Sequence, residues 1–201
     1  MMRRLRTLVL IISAMAFAVV GGVAVASALL PTPPSLVGQE ASEPAGTDFA
    51  LGGTVADPDG GQDWTVRTYP SKTNWTCAEA GRTDGTTFGR VDTDNKLRPL
   101  ELPELGSCAD LGKDKLGLWV NHYPATTGHA ARAVIFGAVA TDVQGVVLTT
   151  DGTREQLPVT RGAFIDAISE SALAGAVVTV TLADGTTDET KLRSAQAPTA
   201  R

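Results

Sequence analysis

Two histidines, two cysteines and few aromatic rings are all that this chain offers of the residue types that most often carry chemistry. The histidines, His122 and His129, bracket HYPATTGH, a spacing that suits neither a pair on one helix face nor a tight zinc pair. No G-x-S-x-G elbow occurs, and Ser71, Ser107, Ser169, Ser171 and Ser194 stand in no nucleophile signature. Glu101 and Glu104 flank Pro103 without nearby aromatic sugar platforms, so they make a poor glycosidase pair. Basic charge is also scarce. There are 22 acidic against 17 basic residues, and Arg3, Arg4 and Arg6 lie before the first acidic residue. The remainder is more acidic still, which opposes binding to nucleic acid and adhesion to anionic lipid headgroups. No convincing amphipathic helix can be drawn after residue 48. The best candidate, IDAISESALAGA at 165–176, has loose apolar spacing and meets Gly175 early.

One uncharged run is present. From Thr7 to Leu30 no charged residue occurs, enough for a helix of about 36 Å against a hydrocarbon core of about 30 Å. Residues 1–6 then form a basic cytoplasmic tail and 7–30 a transmembrane helix or uncleaved signal, with the rest of the chain exported. Ala24-Val25-Ala26 and Ala26-Ser27-Ala28 also resemble cleavage sites, so secretion after cutting near Ala28 is the alternative. Both readings place the C-terminal part outside the cytoplasm. Residues 31–48, PTPPSLVGQEASEPAGTD, read as a Pro-rich extended linker, and 194–201 as a disordered tail.

Cys77 and Cys108 both fall in the exported part, where paired thiols are normally oxidised. A structural bridge between them would contribute about 3.5–4 kcal/mol in the chain-entropy account. A redox pair or two free thiols are the other readings.

The rest alternates with period two. WTVRTY at 64–69, LGLWVN at 116–121, RAVIFGAV at 132–139 and AVVTVTLA at 176–183 all read as half-buried strands. Asp151-Gly152 and Asp184-Gly185 read as tight hairpins, because Asp-Gly supplies positive φ angles. Asp84-Gly85 turns the chain before FGRV. These signals predict a mostly β protein, an antiparallel β-sandwich that is immunoglobulin-like in its C-terminal half. They divide it into a β-rich lobe at 49–128, holding the cysteine pair, and a sandwich-like lobe at 129–193. Whether the two lobes share one core is not legible.

GAVATDVQGVVLTTDGTREQLPVTRGAFIDAI followed by VTVTLADGTT resembles a module of uncharacterised exported or membrane-anchored β-domain proteins of high-GC Gram-positive bacteria. WTVRTYPSKTNWTCAEAGR and GSCADL resemble its companion segment. The resemblance spans 63–190 and implies an extracytoplasmic β-domain. That family carries no assigned activity, so no functional residue transfers.

Candidate binding residues are few. DPDGGQD presents Asp57, Asp59 and Asp63 around two glycines, an oxygen-rich loop that suits calcium more weakly than an EF-hand. Asp92, Asp94 and Asn95 in VDTDNK form a similar loop. Trp64 and Trp119 sit at strand positions and read as core. Trp75, in the polar stretch KTNWTC, is the candidate for surface recognition. The expectation is a non-catalytic binding module at the cell envelope, without cofactor, whose partner is an envelope protein or polymer. A cell-envelope hydrolase or a ligand-sensing ectodomain is the alternative.

Overall fold

The alternation in RAVIFGAV has two destinations. In the computed structural model, which describes residues 43–192 apart from 93, 105 and 127, this segment is strand β8 (Arg132–Val139), buried along almost all its length. Ala133, Ile135 and Val139 enter one apolar core, while Val134, Phe136 and Ala138 enter another. A strand presents successive side chains to opposite faces, so a strand apolar on both faces must lie between two layers. β8 is the centre of the middle sheet, whose order is β11 (Ala163–Ser169), β8, β7 (Leu116–Tyr123).

The first sheet covers one face of that layer. β1 (Ala50–Val55), β2 (Asp63–Pro70), β3 (Thr76–Thr83), β4 (Phe88–Val91) and β5 (Leu97–Pro99) follow in order, and β6 (Ser107–Ala109) returns to pair with β3. Trp64, Val66, Ala78 and Ala80 point from it into the core shared with Phe136. The third sheet covers the other face, in the order β10 (Thr153–Leu157), β9 (Val143–Thr150), β12 (Val177–Leu182), β13 (Thr187–Lys191). Val146, Leu148, Val178 and Val180 point from it toward Ile135. All named strand pairs are antiparallel. Each large apolar side chain removed from water in this way stabilises by about 1.5–3 kcal/mol.

The mostly antiparallel β class expected from the sequence is what forms. The boundary drawn at residue 128 falls between β7 and β8, which are paired neighbours, so the two β-rich segments meet in one sheet. Segment 165–176, the best helix candidate, begins as the last five residues of strand β11 and continues as one 3-10 turn, Glu170–Leu173. β1 escapes sequence reading because ALGGTV carries two glycines, which are depleted in strands. The fold needs one of them: a β-carbon on Gly52 would lie 2.8 Å from Ala163 Cβ and 2.9 Å from Val66 Cγ1. Glycine lets β1 lie close against β11.

The Asp-Gly turns differ from each other. Asp151 (φ 49°) and Gly152 (φ 79°) form the two-residue hairpin expected, joining Thr150 to Thr153. At Asp184-Gly185 only Gly185 has positive φ (81°), and the Leu182 amide donates to Thr186 O at 2.8 Å. That is the three-residue loop with a left-handed last residue. Asp184 Oδ1 steadies it by accepting from Thr186 N and Oγ1 at 2.9 and 2.6 Å.

Cys77 and Cys108 lie directly opposite each other in the β3–β6 register and form a disulfide, the structural bridge expected. The membrane segment 7–30, the basic tail 1–6, the C-terminal tail 194–201 and the linker up to residue 42 lie outside the described residues. Among the described residues no helix is long and apolar enough to cross a membrane. The last linker residues dock on the domain. The Ala45 amide donates to Pro70 O at 2.9 Å, Pro44 bridges Ser71, and Lys72 Nζ pairs with Glu43 at 2.5 Å. The N-terminal linker therefore reaches the folded part at the C-terminal end of β2.

Candidate functional site

Three polar loops flagged by the sequence meet at the opposite end of β2. DPDGGQD precedes β2, VDTDNK follows β4, and HYPATTGH joins β7 to β8. Each turns through left-handed residues: Gly60 and Gly61 in the first, Asn95 in the second, Gly128 in the third. Together they rim a cavity of about 670 Å³. A second cavity of about 460 Å³, between β3–β4 and the end of β7, shares Trp64, Arg82, Val91 and Tyr123 with the first. The two form one groove, within the size range of ligand clefts.

Its floor is a stack. The Arg82 guanidinium sits 3.2 Å from the centre of the Trp64 ring, and Tyr123 lies 4.6 Å from Trp64 on the other sheet. A guanidinium over an indole face is attracted by the ring quadrupole. Ion pairs hold the rest. Arg82 Nη1 contacts Asp57 Oδ2 at 2.5 Å and donates to Gln62 O at 2.6 Å. Arg132 grips Asp59 bidentately, Nη2 to Oδ1 at 2.7 Å and Nε to Oδ2 at 3.3 Å. The Ala130 amide also donates to Asp59 Oδ2, at 3.1 Å. The Arg132 hydrogen bond, helped by that amide, holds the Asp59 carboxyl below the usual carboxylate range. Asp92 accepts from the Lys96 amide at 2.9 Å, from Arg98 Nε at 2.6 Å and from the Asp94 amide at 3.0 Å, and these bonds lower its carboxyl likewise. Burial pushes the Tyr123 phenol up, so it stays neutral.

Trp64 is 2% exposed, and its indole N–H has no acceptor among the described residues. A buried donor left without a partner is uncommon and costly, and this one belongs to a side chain lining both cavities.

The calcium reading of Asp57, Asp59 and Asp63 meets a different arrangement. Asp57 and Asp59 face arginines, and Asp63 starts β2 opposite Thr83. Among the described residues no group of three His, Cys, Asp or Glu side chains is placed to hold a metal ion. Trp75 is 36% exposed, in the turn where its amide donates to Ser71 Oγ at 3.1 Å and its carbonyl accepts from Ser71 N at 2.9 Å. That turn is at the linker end of β2, remote along the strand from the groove.

His122 Nδ1 lies 2.7 Å from Glu170 Oε1. An imidazole oriented by a carboxylate is half of an acid–base couple. Alternation along β7 places His122 on the face of Ala133, opposite to Asn121 and Tyr123. The neighbouring hydroxyls of Ser169 and Ser171 pair with each other at 3.2 Å, and Ser169 caps the 3-10 turn. Glu104 pairs with Arg90 at 3.1 Å.

Sequence reasoning found two of the three loops as oxygen-rich turns and singled out His122 and His129, which bracket the third. It missed Arg82, Arg132 and Tyr123. Their signal is not local: they come from β3, β8 and β7, and only packing of the first sheet on the middle one brings them together. No family model, curated protein or solved structure matches the chain.

Proposed function

We propose that this chain is a membrane-tethered, extracytoplasmic recognition module, and that its ligand site is the groove over Trp64, Arg82 and Tyr123. The observation that carries the reading is the convergence of three loops on a cleft with an aromatic floor and paired arginines. Groups fixed by ion pairs and strands present a pre-organised surface, which lowers the cost of binding.

Three features support the placement. The disulfide suits an oxidising compartment outside the cytoplasm. The uncharged run 7–30 behind three arginines supports a single-pass anchor. The linker joins at Pro70 while the groove lies beyond Asp63, about 23 Å away along β2.

The sheet orders support an immunoglobulin-like reading of the C-terminal part. If β7, β8, β9, β10, β11, β12 and β13 are strands A, B, C, C′, E, F and G, the middle and third sheets are A-B-E and C′-C-F-G. The first sheet is then an addition that creates the groove.

A photo-crosslinking side chain at Asn95, on the groove rim, tests the reading in intact cells against one at Glu189, on exposed β13. Capture of a specific partner from Asn95 alone is expected. Equal capture from both positions, or none, refutes it.

A further inference from the structure

Resting on the recognition reading above, we infer that the groove takes an uncharged, polyhydroxylated ligand, a segment of neutral polysaccharide. The charge pattern argues for it first. Asp57 is paired with Arg82, Asp59 with Arg132 and Asp92 with Arg98. A cation would have to displace a guanidinium, and an anion would have to displace a carboxylate. A hydroxyl needs neither. A carboxylate that accepts one hydrogen bond keeps lone pairs for others, and a guanidinium carries five N–H donors.

The donor and acceptor inventory fits as well. Asn95 and Thr126 on the rim both donate and accept. Vicinal hydroxyls on a saturated ring offer a matching mixture. The C–H faces of such a ring need an apolar plane, and the half-buried Tyr123 ring supplies one on the floor. The Trp64 face is already covered by Arg82, so Tyr123 is the stacking ring and Trp64 its support.

Shape favours a chain over a single ring. The two cavities, about 460 and 670 Å³, run into each other across Trp64, Arg82, Val91 and Tyr123. Both lie along the seam between the first and middle sheets, and together they offer room for more than one ring.

The full-length chain in detergent is assayed against the neutral polysaccharide fraction of the host envelope, freed of protein and separated from its anionic fraction by ion exchange. Retention by the neutral fraction, equal at low and high salt, is expected. Tyr123→Leu weakens it by about ten-fold. Since Tyr123 also packs in a core, His129→Ala on the exposed rim is the second variant, with an expected loss of about three-fold. Binding confined to the anionic fraction, or abolished by salt, overturns the inference. No binding to either fraction, with a protein captured from Asn95 in cells, overturns the polysaccharide and leaves the recognition site standing. Absence of both signals removes the two together.

Discussion

Arg67 and Glu79 are 2% exposed each, facing one another across β2 and β3 on the outer side of the first sheet. Glu79 Oε2 accepts from Arg67 Nε and Nη2 at 3.1 and 2.8 Å, and Arg67 Nη1 donates to Leu100 O at 2.6 Å. Phe49 and Phe88 lie over the guanidinium, 5.1 and 4.2 Å from its carbon. Glu79 Oε1 accepts the Glu104 amide at 3.2 Å. This cluster fastens the segment between β5 and β6 through the Leu100 carbonyl and the Glu104 amide. Removing one partner strands the other charge, so Glu79→Ala is expected to cost about 3–5 kcal/mol in urea unfolding. The double change Arg67→Met with Glu79→Leu should cost much less than that single change. Asp166 is the opposite case. It is 6% exposed among core residues of the middle sheet, with Oδ2 unpartnered among the described residues and Oδ1 accepting the Ala167 amide at 2.8 Å. Burial raises its carboxyl pKa, with Glu155 of β10 adding to the effect and the Ala167 amide opposing it. A carboxyl raised on folding contributes its full stability below its unfolded pKa of about 4 and loses it as pH rises through the folded value. Asp166→Asn should therefore raise the melting temperature at pH 7, and the advantage should vanish below about pH 4. Asp59, Asp84, Asp92, Asp110, Asp142 and Asp184 are all lowered. Their stabilisation holds above the unfolded pKa and fades as pH falls, so the wild type should lose stability on the acid side.

At the scale of elements, the disulfide and β8 carry the most. β6 is three residues long and, among the described residues, pairs only with β3, through Thr76, Cys77 and Ala78. So short a strand has little intrinsic hold, and the bridge supplies it. Cys77→Ala with Cys108→Ala is expected to lose about 2–4 kcal/mol, read as a lower urea midpoint. In β8, Gly137 faces the core between the middle and third sheets, where a β-carbon would lie 2.6 Å from the Phe164 ring. The ring fills the space a side chain would take, so Gly137→Ala should destabilise. The alternation that marks β8 as a strand was plain in the sequence. Its burial on both faces was not, because a strand's own residues do not say how many layers surround it.

At the scale of the whole molecule, two cores share one sheet. Ile135→Ala should cost about 2–5 kcal/mol from one core and Phe136→Ala about 3–5 kcal/mol from the other. Calorimetry of either variant should still show a single transition, since the sheet between the cores belongs to both. Two separate transitions would mean that the layers fold independently. The ends of the molecule also differ in kind. The linker and the Trp75 turn lie at one end of β2, and the groove lies at the other.

The sequence by itself determined the β class, most strand positions, the Asp-Gly turns and the cysteine pair. Those signals are local periodicities, single-residue φ preferences and a count of two thiols, and each survives without knowledge of neighbours. DPDGGQD and VDTDNK were legible as oxygen-rich loops, but their carboxylates could equally have faced calcium, water or arginine. Only the tertiary structure decided that Arg82 comes over Asp57 and Arg132 over Asp59, and that Tyr123 reaches Trp64 from another sheet. Those partners are separated by tens of residues, and a site assembled across two sheets exists only once the sheets pack.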